Sequence, residues 1–301
     1  MKKFFISAFL LCSGVLSYAQ LLSVESIDKV TLPDGGAVTN ATISPDGSFV
    51  VLSEAQKPGL QKLVLANNAM SQISENGIGS DVQISADGTT IVYREASYQG
   101  KLRYVSLKSV NTATGMTKTL VSPTRNFQGF AVAGASVSAV DNGRASTQSL
   151  SSVGAVAVPT ASIDHGQLCI TIGNRTANIS PQGKAGQSYL WPSISPDGKK
   201  VVYYLATVGA YVCNLDGSNP MFIGAIRAPR WYNNDIVVGM NDQDNGSYVT
   251  SSSIIAVKAD GTATQQLTDD AAMAMYPTAS SNAGKISYIT PAGELYIINL
   301  K

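Results

Sequence analysis

The sequence predicts an all-β chain folded as a β-propeller of four-stranded blades, with seven blade slots and six as the alternative count. Three observations predict it: one turn-and-strand motif recurs along the chain, its copies are spaced like propeller blades, and the two chain ends supply complementary parts of a single blade.

The fullest copy of the motif is Ile194-Ser195-Pro196-Asp197-Gly198 followed by the strand Val201 to Tyr204. Pro196 sets φ for the first corner of a turn, Asp197 offers a carboxylate to backbone N–H groups, and Gly198 tolerates a positive φ at the exit. The run Val201-Val202-Tyr203-Tyr204 lacks polar alternation, as a strand covered on both faces does. Ile43-Ser44-Pro45-Asp46-Gly47 and Ile84-Ser85-Ala86-Asp87-Gly88 repeat the turn. Three eroded copies keep only a proline two residues before the anchor: Pro159 before Ala161, Pro229 before Trp231 and Pro277 before Ala279.

With Ile43, Ile84, Ala161, Ile194, Trp231 and Ala279 equivalent, the spacings are 41, 77, 33, 37 and 48 residues. Units of this size cannot cover their own faces and must stack around an axis. The double gap has to hold a further, degenerate blade over residues 123 to 158. There Val140-Asp141-Asn142-Gly143 reads as an outer hairpin by its likeness to Ala259-Asp260-Gly261, which leaves little chain for two inner strands.

Val24, Ile27, Val30 and Leu32 alternate with polar residues at the distance of an outermost strand before the first turn. The C-terminal stretches Lys285 to Tyr288 and Glu294 to Ile298 lack a fourth strand. The expected arrangement is closure, in which the N-terminal strand completes the last blade and covers its open edge.

Ahead of that strand, Met1 to Ala19 has the layout of a cleaved secretory signal peptide: Lys2 and Lys3, an apolar run from Phe4 to Leu16, then small residues at Ser17 and Ala19. Residues 20–301 are expected to be one propeller domain, and the protein to be periplasmic or secreted from a bacterium of Gram-negative type. The apolar run is too short to span a membrane. Lys plus Arg (21) and Asp plus Glu (20) nearly cancel, so nothing points to nucleic acid. Cys169 and Cys213 remain after export and are expected to be buried free thiols, with a disulfide as the alternative.

The leader, the Ser-Pro-Asp-Gly hairpins at Ser44 and Ser195, the variant at Ser85, and strands such as Val201 to Tyr204 together resemble the TolB-like propellers built of WD40-like (PD40) repeats, without the N-terminal domain of TolB. That resemblance implies an envelope or secreted protein that binds partners through its loops and central channel.

Candidate chemistry is sparse. Asp46, Asp87 and Asp197 are explained by their turns. In Asn241 to Gly246 the carboxylates fall out of phase with a calcium loop. His165 is the only histidine, which argues against a histidine base, a multi-histidine metal site and the oligogalacturonate lyase-like propellers. No catalytic residue, cofactor or metal is therefore assigned.

Segments entering the innermost strands ring the channel mouth of a propeller, and aromatic and Arg residues there are the usual anchors of a binding surface. The candidate face comprises Arg94 and Tyr98 in a hairpin, Arg125, Tyr189, Trp191, Arg227, Arg230 and Tyr276. Trp231 takes an anchor slot and is assigned to the core. The expectation is a monomeric, non-enzymatic binding propeller for an envelope protein or peptide. The alternative is a propeller that binds a glycan or small molecule, of lyase type at the extreme.

Overall fold

A computed structural model describes residues 20–152, 154–182 and 186–301. The leader and its cleavage point fall outside these residues. Seven antiparallel sheets surround a central channel. Strand β1 (Val24–Val30) runs first and belongs to the last sheet. The first blade is β2 (Val38–Ile43), β3 (Phe49–Glu54), β4 (Lys57–Val64) and β5 (Met70–Ser74). The second is β6 (Gly77–Ile84), β7 (Thr90–Gln99), β8 (Leu102–Asn111) and β9 (Thr117–Thr124).

The third and fourth blades each carry three hydrogen-bonded strands, β10 (Phe127–Ala133), β11 (Ser136–Asp141) and β12 (Arg144–Ser149), then β13 (Thr160–Asp164), β14 (Gln167–Ile172) and β15 (Arg175–Asn178). Four strands return in the fifth, β16 (Tyr189–Ile194), β17 (Lys200–Leu205), β18 (Gly209–Asn214) and β19 (Met221–Gly224). The sixth has β20 (Arg227–Trp231), β21 (Ile236–Asp244), β22 (Val249–Lys258) and β23 (Thr264–Gln266). The seventh combines β24 (Met275–Ser280), β25 (Lys285–Ile289) and β26 (Leu295–Leu300) with β1. No helix among the described residues is long and apolar enough to cross a membrane.

The expected closure is present: β1 pairs antiparallel with β26, from Val24 opposite Leu300 to Val30 opposite Leu295. Gln265 of the sixth blade ties down the incoming chain, its side-chain oxygen accepting from the N–H groups of Leu21 and Leu22 and its amide donating to the Leu22 carbonyl.

Successive residues of a second strand serve opposite neighbours. Val201 packs toward the fourth blade and Val202 toward the sixth, as a period of two requires when both faces are covered. Six apolar clusters fill the seams between neighbouring blades in this way. The seam between the third and fourth blades differs, with Gly129 packed against Ser162, and Ser138, Thr160 and Ser162 buried there.

The hairpin at Asp141 to Gly143 joins β11 to β12, one hairpin inward of its expected place. The reading fails because β10 and β11 meet in a two-residue turn, Gly134-Ala135, which frees the chain length that a Ser-Pro-Asp-Gly turn uses.

In the intact turns, the Ser44, Ser85 and Ser195 hydroxyls each donate to the carboxylate two residues on, at 2.6 Å, and each accepts backbone N–H groups from beyond the turn. Gly198 closes its turn with φ +70°. The Ser85 and Ser195 hydroxyl bonds, joined by backbone N–H donors, hold Asp87 and Asp197 below the ordinary carboxylate range. At Asp46 burial pushes upward, but the Ser44 and Ser48 donors outweigh it.

A depressed folded pKa stabilises above the unfolded value of about 4 and is lost as pH falls through the folded values. The triple variant Asp46→Asn, Asp87→Asn, Asp197→Asn should therefore flatten the acid limb of the stability curve below about pH 4. Urea melts across that range check it, and an unchanged limb would refute the assignment.

Cys169 and Cys213 are free and buried in consecutive blades, and burial pushes the Cys213 thiol up to about 12. Both therefore stay protonated at neutral pH and behave as packing groups.

Candidate functional site at the channel mouth

The channel encloses about 710 Å³ and is lined by the innermost strands of the ring. Its mouth is shaped by a repeated irregularity. In β16, β20 and β24 the ladder slips between Leu190 and Ser193, Arg227 and Arg230, and Met275 and Thr278. Within each slip one residue adopts the left-handed region, Trp191 at φ 48°, Ala228 at φ 46° and Tyr276 at φ 52°, and each directly precedes a proline. Proline has no N–H to lose from the ladder, so it suits the bulged position. A left-handed non-glycine residue costs on the order of 1 kcal/mol, and a bulge re-aims the side chain it carries.

Trp191 and Tyr276 accordingly line the channel, Tyr276 with 46% of its surface exposed. The Trp191 ring meets Tyr204 edge-on at 5.5 Å, and the Arg227 guanidinium lies 5.8 Å from it. Arg227 Nη1 is also 2.6 Å from the buried carboxylate of Asp242. Trp191 and Tyr276 thus share the channel lining, with Arg227 beside Trp191.

Arg94 lies deeper. Its Nε stands 2.5 Å from Asp81, and its guanidinium stacks 4.7 Å from the Phe127 ring centre. Asp81 retains 30% of its side-chain surface and lines the channel. Protein surrounds it on the other sides, and this burial raises its pKa; Arg94 and Arg230 pull the other way without cancelling the effect. Arg230 also lines the channel, where burial lowers its pKa and Asp81 opposes the shift.

Three expected site residues lie elsewhere. Tyr189 is 1% exposed, packed 5.3 Å from Tyr203 in the seam with the fourth blade. Its assignment to the face is corrected: the strand already begins at Tyr189, ahead of the slip, so alternation sends its ring between blades. Tyr98 stands at the end of the long β7–β8 hairpin, 69% exposed and off the channel lining. Arg125 is exposed in the link from β9 to β10 and is likewise off the lining. Trp231 is in the core as expected, its Nε1 donating to the Ser193 carbonyl at 2.8 Å.

Asp81 escapes the sequence reading, and Asp242 enters it only as part of a calcium loop, not as the partner of Arg227. Each is an acidic residue whose arginine lies on the adjacent strand, Asp81 on β6 beside Arg94 of β7 and Asp242 on β21 beside Arg227 of β20. The Asn241 to Gly246 segment extends a hairpin in which Asp244 and Asn245 accept turn N–H groups. His165 sits exposed in its turn beside Asp164. Among the described residues, no three His, Cys, Asp or Glu side chains cluster closely enough to hold a metal ion.

No protein-family profile matches the sequence, and no curated protein matches it. Solved structures do. A chain in the crystal structure of a mitotic checkpoint complex aligns over 99% of this chain and 98% of its own length, with TM-score 0.58 and 10% identity. TolB from Acinetobacter baumannii aligns over 78% of this chain, with TM-score 0.52 and 13% identity, and the alignment spans 55% of TolB. Oligogalacturonate lyase in complex with manganese aligns over 88% of this chain and 78% of its own, with TM-score 0.50 and 13% identity. At such identities the likeness establishes the propeller fold alone.

Proposed function

We propose that this chain is an exported binding propeller that engages a protein or peptide of the cell envelope through the mouth of its channel. The observation that supports it most is the pair of strained bulges that turn Trp191 and Tyr276 into an open channel beside Arg227. Strain of this kind persists where surrounding structure enforces it and clusters at binding sites. Rigid aromatic groups flanked by Arg are the common anchors of recognition surfaces. The resemblance of the leader and turns to TolB-like proteins supports export and partner binding as the context.

The same two aromatic rings favour a second reading, in which they form a platform for a sugar and the ligand is a glycan. Affinity capture from envelope extracts, run beside a glycan array, separates the two. The expected result is a captured protein whose yield falls at least about tenfold with Trp191→Ala/Tyr276→Ala, a loss of the size hot-spot residues give. Near-ultraviolet circular dichroism verifies that the variant keeps its fold. Equal capture by both proteins would remove the mouth from consideration, and array binding without capture would favour the glycan.

A further inference from the structure

We propose that Arg230 is a carboxylate receptor inside the channel, holding an acidic group of the bound partner, and this rests on the channel being the binding site.

At two anchors the side chain of the preceding residue straps neighbouring blades together. Gln83, one residue before Ile84, donates to the Phe130 carbonyl and accepts from the Val132 N–H of the third blade. Thr278, one residue before Ala279, accepts the Ile43 N–H of the first blade. Arg230 occupies this position in the sixth blade but straps nothing. Among the described residues its one side-chain hydrogen bond, at 3.4 Å, goes to the carbonyl of its own neighbour Pro229. A guanidinium carries five N–H donors in a flat fork and keeps its charge in proteins. Most of that fork therefore faces the channel that Arg230 lines.

Among the described residues, no carboxylate forms an ion pair with it. Asp81 is engaged by Arg94 at 2.5 Å and acts on Arg230 only as a more distant charge. Asp197, at another part of the lining, is held by Ser195 and by the Lys199 N–H in its turn. Arg94 pairs with Asp81 and Lys199 Nζ lies 3.8 Å from Asp197, so both lining carboxylates have a cation of their own and the charge of Arg230 is left over. A singly charged carboxylate balances it and matches the fork with two parallel hydrogen bonds. A doubly charged phosphate overshoots the balance and meets Asp81. Tyr276, Ile194 and Ala279 on the lining provide apolar surface for the group that carries the carboxylate.

The only two tryptophans, Trp191 and Trp231, both line the channel, so intrinsic fluorescence reports its occupancy. The full chain is titrated with N-acetylphenylalanine, which mimics a peptide C-terminus, and with phenylacetate, a free organic acid, each beside its primary amide. The expected result is a saturable change with the acids and binding weaker by about tenfold or more for the amides and for Arg230→Gln, the loss that one charge-assisted bond gives. Tighter binding of N-acetylphenylalanine identifies a peptide terminus as the source, and tighter phenylacetate a free acid.

Arg230→Gln should also melt at the same temperature as the parent or higher, because it removes an unpaired cation. A marked drop would show that the side chain is satisfied within the fold and would overturn the proposal. Equal binding of acid and amide, unchanged binding by Arg230→Gln, or no saturable response would overturn it as well. Acid binding with no captured partner would leave the receptor standing and remove the partner reading.

Discussion

A chain starting at Pro33, and so lacking β1, should lose its cooperative melt or unfold on the order of 10 °C or more below the parent. The deletion takes away buried Leu22 and Leu32 and the whole ladder from Val24 to Val30. Each large apolar side chain is worth roughly 1.5–3 kcal/mol on burial, against a total stability of about 5–15 kcal/mol. The loss also uncovers β26 as an open edge with unpaired backbone groups, which invites association between chains. Calorimetry and light scattering test both effects. A peptide of residues 20–32 added in trans should restore part of the lost stability. A truncated chain that melts within a few degrees of the parent and stays monodisperse would show that ring closure does not depend on β1.

Replacing Trp231 by Ala should destabilise the protein by about 3–5 kcal/mol, the range for removing a large aromatic from a core. The side chain is 8% exposed in the seam between the fifth and sixth blades, and its loss also strips the Ser193 carbonyl of its donor. Trp231→Phe keeps most of the packing and should cost less, near 1 kcal/mol for the hydrogen bond alone. Equilibrium denaturation with an unchanged slope separates the two variants. A Trp231→Ala loss below about 1 kcal/mol would contradict the core assignment.

What the sequence made legible follows the periodic part of the structure. The anchors from Ile43 to Ala279 mark six innermost strands because a proline or an Asp-Gly turn leaves a local chemical trace at every blade but the third. Closure was legible too, since an orphan strand at one end matched a missing strand at the other. The errors lie where local chemistry is silent. Gly134-Ala135 turns the chain in two residues without any motif, which displaced the reading of the Asp141 hairpin. Tyr189 and Trp191 are two residues apart, and simple alternation would put them on one side. The slip after Leu190, with the left-handed Trp191, sends them to different surroundings. The pairs Arg94 with Asp81 and Arg227 with Asp242 depend on cross-strand register, which no single stretch of sequence encodes.

Six of the seams are zipped by apolar side chains, whereas the one between the third and fourth blades rests on Gly129 against Ser162 and on buried hydroxyl groups. A closed annulus has no free end from which to fray, so any breathing has to start by parting two neighbours. Water gains least contact with hydrocarbon where the parting surfaces are already hydroxylated. The circle is thus anisotropic: its least hydrocarbon-rich joint lies diametrically across from the strand exchange that joins its termini.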